Sequence, residues 1–170
     1  MARYIRQKDE YSCAPIALYN AMQWAKGGSN KTHWRWFSRV VKCDEDGTGD
    51  AGFLKGIRHL KRAVKVRRLH KPTVKKIREH LSTGGAALAA FAYTGPQEKE
   101  AQPHVILLLG AHPQGQSYVA ANYHYYRKHA PVSKVPRKLF VRHFQKKRSL
   151  PKYPEAWLLS KKSSRKTEKK

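Results

Sequence analysis

Four polar side chains have the types and spacing that suit attack by a thiol on a carbonyl carbon. Cys13 stands six residues after Gln7, where a helical pattern begins. A nucleophilic thiol needs a base, a group that orients the base, and donors for the developing oxyanion. Among the nine histidines, His104 is the best base, because it follows a polar loop and opens an apolar strand. Asn122 follows on the next strand and is the candidate orienting group.

The helix that begins at the thiol is the first element that must position this chemistry. Apolar residues recur at helical spacing through the segment, and they predict an amphipathic helix over Cys13–Lys26. Pro15 fits the first turn, and Gly27 ends the helix. A thiol at the positive end of a helix dipole is stabilised as thiolate. We therefore expect a lowered pKa for Cys13.

A hairpin is the second element that the chemistry needs. The strand that opens at His104 and the strand Ser117–Tyr123 are joined by a short turn, which predicts an antiparallel pair. With the turn centred on residues 113–115, facing residues have numbers that add to about 226–228, and His104 and Asn122 add to 226. His124 is a rival base, but it lies beyond Asn122. The hairpin thus predicts contact between His104 and Asn122.

The remaining pattern predicts an α+β fold in which N-terminal helices pack on an antiparallel sheet. Helices are expected at 31–42, at 50–60 with Asp50 as the cap, and after Thr73. Strands are expected at Arg3–Ile5, Val64–Leu69, Ala86–Tyr93 and Ala156–Ser160, and a loop followed by a helix is expected over Val132–Phe144. Residues 1–160 should form one domain, and 161–170 a basic tail that cannot pack a core.

The charge balance points to a polyanionic partner. The chain has 36 Lys and Arg against 11 Asp and Glu, a net charge of +25. Two blocks carry much of it: Lys55–Arg78 and Lys134–Lys170. A field of this sign attracts nucleic acid or an acidic protein surface. We expect contact through both blocks, and the protein could belong to a large assembly.

Several classes of protein are excluded by what the sequence lacks. Two cysteines are too few for a disulfide scaffold, so we expect a reducing compartment, either cytoplasm or virion. The N-terminus has no apolar core of a signal peptide, and the longest apolar runs are too short to span a membrane. The loop Asp44–Asp50 has part of a calcium pattern, but Lys55 stands where the bidentate Glu belongs. Neither a metal nor a cofactor is predicted.

The order of these motifs resembles that of the papain-like cysteine peptidases. The pattern Gln7, Cys13-Ala14-Pro15, Pro103-His104-Val105 and Asn122 is most similar to the compact branch that includes the double-glycine-leader, bacteriocin-processing peptidases. The resemblance implies a papain-like fold over about residues 4–160 and a peptide or protein substrate. It implies that Cys13 is the nucleophile, His104 the base and acid, Asn122 the group that orients the imidazole, and Gln7 the oxyanion donor.

Two hypotheses about function follow from these observations. In the first, the protein is a cysteine peptidase that hydrolyses peptide bonds through Cys13, His104, Asn122 and Gln7. In the second, it is a basic structural protein of a virion or another nucleic-acid-rich assembly, built on an inactive peptidase scaffold. Ala14 replaces the glycine that is common after the cysteine in such motifs, so the sequence leaves both hypotheses open.

Overall fold

The computed structural model describes residues 2–94, 101–124, 130–145 and 154–162. Its helices are α1 (Cys13–Ala25), α2 (Trp34–Val41), α3 (Asp50–Leu60), α4 (Val74–Ser82) and α5 (Arg137–Phe144). Its strands are β1 (Val64–Arg68), β2 (Ala86–Tyr93), β3 (Gln102–Ala111), β4 (Ser117–Ala121), β5 (Val132–Pro136) and β6 (Glu155–Lys161). Of the predicted basic tail, 161–170, Lys161 belongs to β6, and residues 163–170 lie outside the described residues, so the prediction for them stays untested.

The six strands form one sheet in the order β1-β6-β2-β3-β4-β5, and every neighbouring pair is antiparallel. Apolar residues of α1, α2 and α3 pack on one face of the sheet. Residues of α4 and α5 pack on the other face. The predicted α+β fold, with helices packed on an antiparallel sheet, is confirmed.

Strand β2 lies in the centre of the sheet and is buried along its whole length. Its sequence is a continuous run of Ala, Leu, Phe and Tyr, which is typical of a strand covered on both faces. Alternate residues enter opposite cores: Leu88 packs with the α1 side, and Phe91 packs with the α4 and α5 side. The small alanines let helices approach both faces closely.

Helix α1 is almost wholly buried because it crosses the sheet beneath α2 and α3. Gly56 of α3 makes the close approach possible: a β-carbon there would lie 2.3 Å from Cδ1 of Leu18 in α1. The glycine that weakens α3 as an isolated helix therefore favours its packing. Within the described parts of the chain, no helix is both long and apolar enough to cross a membrane.

The prediction of a strand at Arg3–Ile5 was wrong. The backbone of this segment forms its hydrogen bonds with a side chain instead of with a neighbouring strand. The amide of Asn20, buried in α1, accepts from the Ile5 N–H and donates to the Ile5 carbonyl, both at 2.9 Å. These two bonds imitate one rung of a β-ladder. They fix the chain that leads to Gln7 against the helix that begins at Cys13.

Two further expectations need correction. Val132–Pro136 is a strand, β5, rather than a loop, and it pairs with β4 at the edge of the sheet. An edge strand tolerates the exposed Lys134 and the terminal Pro136, so its sequence carries little β signal. Asp50 does not cap α3: Gly49 is the N-cap, and Asp50 is the first helical residue, where its charge still favours the positive end of the helix.

Candidate active site

The start of α1 opens into a cleft of about 440 Å³ at one end of the sheet. Cys13 and Ala14 of α1 line one side, the 45–50 segment lines another, and the ends of β2, β3 and β6 close the rest. His104, near the start of β3, also lines it. The fold therefore brings Cys13 and His104, ninety-one residues apart in sequence, to one cavity.

The Cys13 thiol is buried, with 9% of the residue exposed. Its Sγ lies 3.9 Å from the carbonyl oxygen of Pro103, the residue directly before His104. Burial raises the pKa of Cys13 to about 11, although a hydrogen bond from the Val105 N–H and the helix start favour the thiolate. The expectation of a lowered pKa was wrong, because the desolvation of the thiolate outweighs the helix dipole.

The His104 imidazole is held in one tautomer by backbone carbonyls. Its Nε2 lies 2.9 Å from the carbonyl oxygen of Asn122 and 3.1 Å from that of Tyr123. Carbonyl oxygens only accept hydrogen bonds, so Nε2 must carry the proton. The lone pair of the neutral ring is then on Nδ1. A histidine in this tautomer is poised to accept a proton through Nδ1.

Burial keeps the imidazole neutral. His104 is 2% exposed, and its ring meets the aromatic rings of Phe91 and Tyr93 at centroid distances of 5.9 and 5.1 Å. The pKa of His104 is lowered from 6.5 to about 4, chiefly by desolvation; the two carbonyls act in the opposite direction, and nearby His124 and His143 add to the lowering. Cys13 and His104 are therefore a neutral thiol and a neutral imidazole at pH 7.

Gln7 and Asn122 form a buried pair. The Asn122 side chain accepts from the Gln7 backbone N–H at 2.9 Å and donates to Gln7 Oε1 at 2.7 Å. Gln7 Nε2 donates to the Asp9 carbonyl at 2.8 Å. Both residues are at most 1% exposed. The pair ties the segment before α1 to the end of β4, and it fixes the Gln7 amide relative to Cys13.

The four predicted site residues are connected through the cleft and through Asn122. Cys13 and His104 line the cleft, and Asn122 contacts both His104, through its carbonyl, and Gln7, through its side chain. Asn122 lies just after β4 with a φ of +62°, a conformation in which asparagine is favoured over most residues. The roles of nucleophile, base, orienting group and oxyanion donor remain predictions.

The cleft is acidic, a property that the linear sequence did not indicate. Five of the chain's 11 acidic residues line it, and none of the described lining residues is Lys or Arg. They come from three distant segments: Glu10, Glu45, Asp46, Asp50 and Glu155. Glu155 forms an ion pair with Arg68, whereas Glu10, Glu45 and Asp46 are exposed to solvent. In the part of the chain that is described, no cluster of three or more side chains could hold a metal ion.

The second cysteine lies close to the cleft but in a different setting. Cys43 is more exposed than Cys13, and its Sγ lies 3.5 Å from the carbonyl oxygen of Tyr11. Burial raises the pKa of the Cys43 thiol, and hydrogen bonds with Thr48 and Ser38 act against that rise. Cys43 is therefore a second, more exposed thiol with which the reactivity of Cys13 can be compared.

Comparison with solved structures identifies the fold. The peptidase domain of Streptococcus ComA, a bi-functional ABC transporter involved in quorum sensing, has a TM-score of 0.62 at 11% identity, covering 95% of this chain and 100% of that one. A putative C39-like peptidase from Bacillus anthracis has a TM-score of 0.64 at 12% identity, covering 96% of both chains. A double glycine motif protease from an AMS/PCAT transporter, in complex with the leader peptide, has a TM-score of 0.59 at 13% identity, covering 94% and 93%.

These similarities confirm the resemblance at the level of fold: the chain has the fold of C39-like, papain-like peptidase domains over nearly its whole length. Identity of 11–13% carries no residue roles with it. No family model matches the sequence, and no curated protein matches it.

Proposed function

We propose that this protein is a cysteine peptidase in which Cys13 attacks the peptide carbonyl and His104 transfers the proton. The observation that carries the proposal is the tautomer of His104: two carbonyl oxygens hold the proton on Nε2 and leave Nδ1 as the base, in the wall of the cavity that contains the thiol. A histidine with a purely structural role does not need to share a cavity with a cysteine at a helix start.

Because both groups rest in their neutral forms, proton transfer must accompany attack. As Sγ of Cys13 bonds to the carbonyl carbon, Nδ1 of His104 accepts the thiol proton, and the carbonyl π electrons move to oxygen. The Cys13 N–H and the Gln7 amide are the donors for that oxyanion. The tetrahedral adduct then collapses, His104 protonates the departing amine, and the C–N bond breaks. Water, deprotonated by His104, hydrolyses the thioester and regenerates the thiol.

The carboxylates of the cleft favour a cationic segment of polypeptide as the substrate. Glu10, Glu45 and Asp46 stand at the cavity that contains Cys13, and they are scattered rather than clustered around one point. A peptide with Lys or Arg beside the scissile bond would gain electrostatic stabilisation there, and an acidic peptide would be repelled. The neighbour that was solved with its leader peptide binds a peptide on the same fold, which supports a polypeptide substrate.

The test is turnover of matched peptides that differ only in charge. A peptide rich in Lys and Arg, its Gln-substituted counterpart and its Glu-substituted counterpart are incubated with the protein, and products are counted by mass spectrometry. We expect the basic peptide to be cleaved at least tenfold faster in kcat/KM than the Glu-substituted one. The double variant Glu45→Gln/Asp46→Asn should raise KM for the basic peptide with little change in kcat, because these residues bind substrate and take no part in proton transfer.

Cys13→Ala is the matched control, and Cys43→Ala is its counterpart at the other thiol. Cys13→Ala should abolish cleavage, whereas Cys43→Ala should retain it. Cleavage that survives Cys13→Ala in a preparation free of other proteases would rule out the proposed nucleophile. Equal rates for all three peptides would rule out the role assigned to the acidic cleft while leaving the nucleophile in place.

A second candidate function is favoured by the protonation states. A thiol with a pKa of about 11 beside an imidazole with a pKa of about 4 is far from the thiolate–imidazolium pair of an activated nucleophile. A basic structural protein of a virion or another nucleic-acid-rich assembly would need the fold and the +25 charge but no activated thiol. This candidate predicts no turnover with any peptide and binding to polyanions that Cys13→Ala leaves unchanged.

A further inference from the structure

A second cavity, on the opposite face of the sheet from α1, is basic where the first is acidic. It is a groove of about 450 Å³ between α4, α5 and the start of β4. Its charged lining residues are Lys75, Arg78 and Arg137, and none of its described lining residues is acidic. Arg78 belongs to the first basic block of the sequence and Arg137 to the second, so the fold brings the two blocks together at one place.

The groove contains a buried hydroxyl group that has no partner. Tyr118 lines the groove, is 0% exposed, and its hydroxyl makes no hydrogen bond with any described residue. Its ring packs against Phe140 with a centroid distance of 4.9 Å. A ligand that accepts a hydrogen bond from this buried, unsatisfied hydroxyl would offset part of the cost of burying it. Burial raises the pKa of the Tyr118 hydroxyl, so the group keeps its proton, and the charges of Arg137 and Arg78 act against that rise.

The backbone around the groove also favours an anion. The N-terminus of α4 lies at the groove, since Thr73, Val74 and Lys75 all line it. The Thr73 hydroxyl caps the N–H of Lys76, and the Thr73 carbonyl accepts from Ile77. The first amides of the helix, and the positive end of its dipole, remain for an anion.

Arg78 lies next to the turn between β3 and β4. It is half-buried, and its Nη1 lies 2.9 Å from the position that a β-carbon of Gly115 would occupy. The glycine, with a φ of +68°, leaves room for the guanidinium to pass over the turn.

From these observations we infer that the groove binds the phosphate backbone of a nucleic acid, with Arg78 and Arg137 on phosphate oxygens, the Tyr118 hydroxyl donating to the same group, and the α4 N-terminus beside it. The ligand class follows from the charge around the groove. The helices α4 and α5 add three exposed cations outside it, Lys76, Lys138 and Arg142, against one acid, Glu79. Cations that extend along both helices beyond the groove suit a chain of phosphates better than one isolated phosphate.

An anionic membrane is the other ligand that could present phosphates, and the groove lacks the features that insert into one. The exposed large apolar residues in the described chain are Tyr11, Leu54 and Val119, and none of them lines the groove. Membrane-surface elements pair their cations with apolar side chains that enter the bilayer. The inference is independent of peptidase activity, because the groove and the Cys13 cleft share no lining residue.

The experiment compares two double variants that remove the same charge from opposite faces. Binding of a fluorescent 20-nucleotide single strand is measured by anisotropy over a series of salt concentrations. Arg78→Gln/Arg137→Gln removes two cations from the groove, and Lys55→Gln/Arg58→Gln removes two exposed cations from α3. We expect the groove variant to bind at least tenfold more weakly, with the slope of log affinity against log salt reduced by about one to two units. The α3 variant should change affinity less than threefold.

Two further variants separate the hydroxyl and the geometry from charge. Tyr118→Phe should weaken binding a few-fold without changing the salt slope, because it removes a donor and no charge. Arg78→Lys/Arg137→Lys preserves the charge but removes the guanidinium geometry, and we expect it to bind severalfold more weakly than wild type. It replaces Arg78→Gln/Arg137→Gln as the test if thermal unfolding shows that the glutamine variant is unfolded. Cys13→Ala should bind like wild type.

Equal losses in the groove and α3 double variants would overturn the inference, because binding would then be diffuse attraction to the whole surface. An unchanged affinity in Tyr118→Phe would remove the hydroxyl from the site. Binding to vesicles of phosphatidylglycerol, with no affinity for the oligonucleotide, would overturn nucleic acid as the ligand.

Discussion

At the scale of single residues, burial decides the chemistry of the candidate site. Cys13 and His104 are both desolvated, so the thiol stays protonated and the imidazole stays neutral. The sequence predicts Cys13 at a helix start, and α1 does begin there. The effect of the helix dipole on the thiol is nevertheless smaller than the cost of burying a thiolate. The depth of a residue depends on which strands cover it, and the local sequence does not contain that information.

The buried imidazole should make folding stability depend on pH. Above pH 6.5 the ring is neutral in both the folded and unfolded chains. Below that value the unfolded chain binds a proton, whereas the folded chain resists protonation until about pH 4. Stability should therefore fall as the pH falls from 6.5 to 4, by about 3 kcal/mol from this group. Chemical denaturation at a series of pH values measures this change in the free energy of unfolding.

His104→Gln should flatten this part of the pH profile, and His70→Gln is the control because His70 is exposed. Profiles of the same slope in wild type and His104→Gln would contradict the assignment of a buried, neutral imidazole.

At the scale of elements, the site depends on how the hairpin of β3 and β4 ends. The strands pair with numbers that add to 228 near the site, as in Leu107 with Ala121, and a bulge shifts the register between Leu108 and Gly110. This agrees with the hairpin expected from the sequence. The end of β4 differs from expectation, because the strand stops at Ala121 and Asn122 turns into the left-handed region. As a result, the carbonyl of Asn122 meets His104, and its side chain meets Gln7.

Substitution of Asn122 separates these two contacts. Asn122→Gly keeps the carbonyl and tolerates the φ of +62°, but it loses both hydrogen bonds of the side chain to Gln7. We expect a loss of roughly 2–3 kcal/mol of unfolding free energy. Asn122→Ala should lose about 1 kcal/mol more, because alanine is strained in this conformation. Thermal and chemical denaturation measure both.

Measurements of activity in the Asn122 variants distinguish which group of Asn122 orients His104. Because a backbone carbonyl holds His104, Asn122→Gly should retain the acid limb of its pH–rate profile while kcat falls through the loosened Gln7 amide. A complete loss of activity with an intact fold would instead assign the orienting role to the Asn122 side chain, as the resemblance to papain-like peptidases implies.

Elements whose signals are local were predicted well from the sequence. The helix at Cys13, the buried strand β2 and the helix after Thr73 all have clear periodicity and clear start or stop residues. The edge strand β5 was missed because Lys134 and Pro136 weaken its pattern. The expected strand at Arg3–Ile5 failed because Asn20, a residue of another element, supplies its hydrogen bonds.

At the scale of the whole molecule, charge is sorted into two cavities of opposite sign. Residues 10, 45, 46, 50 and 155 meet in the Cys13 cleft, and residues 75, 78 and 137 meet in the groove beside α4 and α5. A net charge of +25 predicted the attraction to polyanions but concealed the acidic cleft. Neither cavity could be predicted from the sequence, because each is assembled from segments that only the sheet topology brings together.

This arrangement gives a physical account of how both proposed activities could coexist. The basic groove would hold the protein on a polyanion, and the separate acidic cleft would draw in cationic polypeptide. Proteins that coat or package nucleic acid are rich in such segments. The two cavities can be tested separately, because neither set of lining residues contains a member of the other.

The central claim, that His104 activates Cys13, is tested most directly by a substrate-like electrophile. A peptidyl vinyl sulfone with Lys or Arg next to the warhead is incubated with the protein at pH 7, and the modified residue is identified by mass spectrometry. A simple haloacetamide serves as the comparison, because it reacts with whichever thiol ionises and needs no cleft. We predict that the peptidyl reagent modifies Cys13 and spares Cys43, and that His104→Ala lowers its rate at least a hundredfold while hardly changing the slow reaction with the haloacetamide. Modification of Cys43 in preference to Cys13, or equal rates at Cys13 with and without His104, would contradict the account.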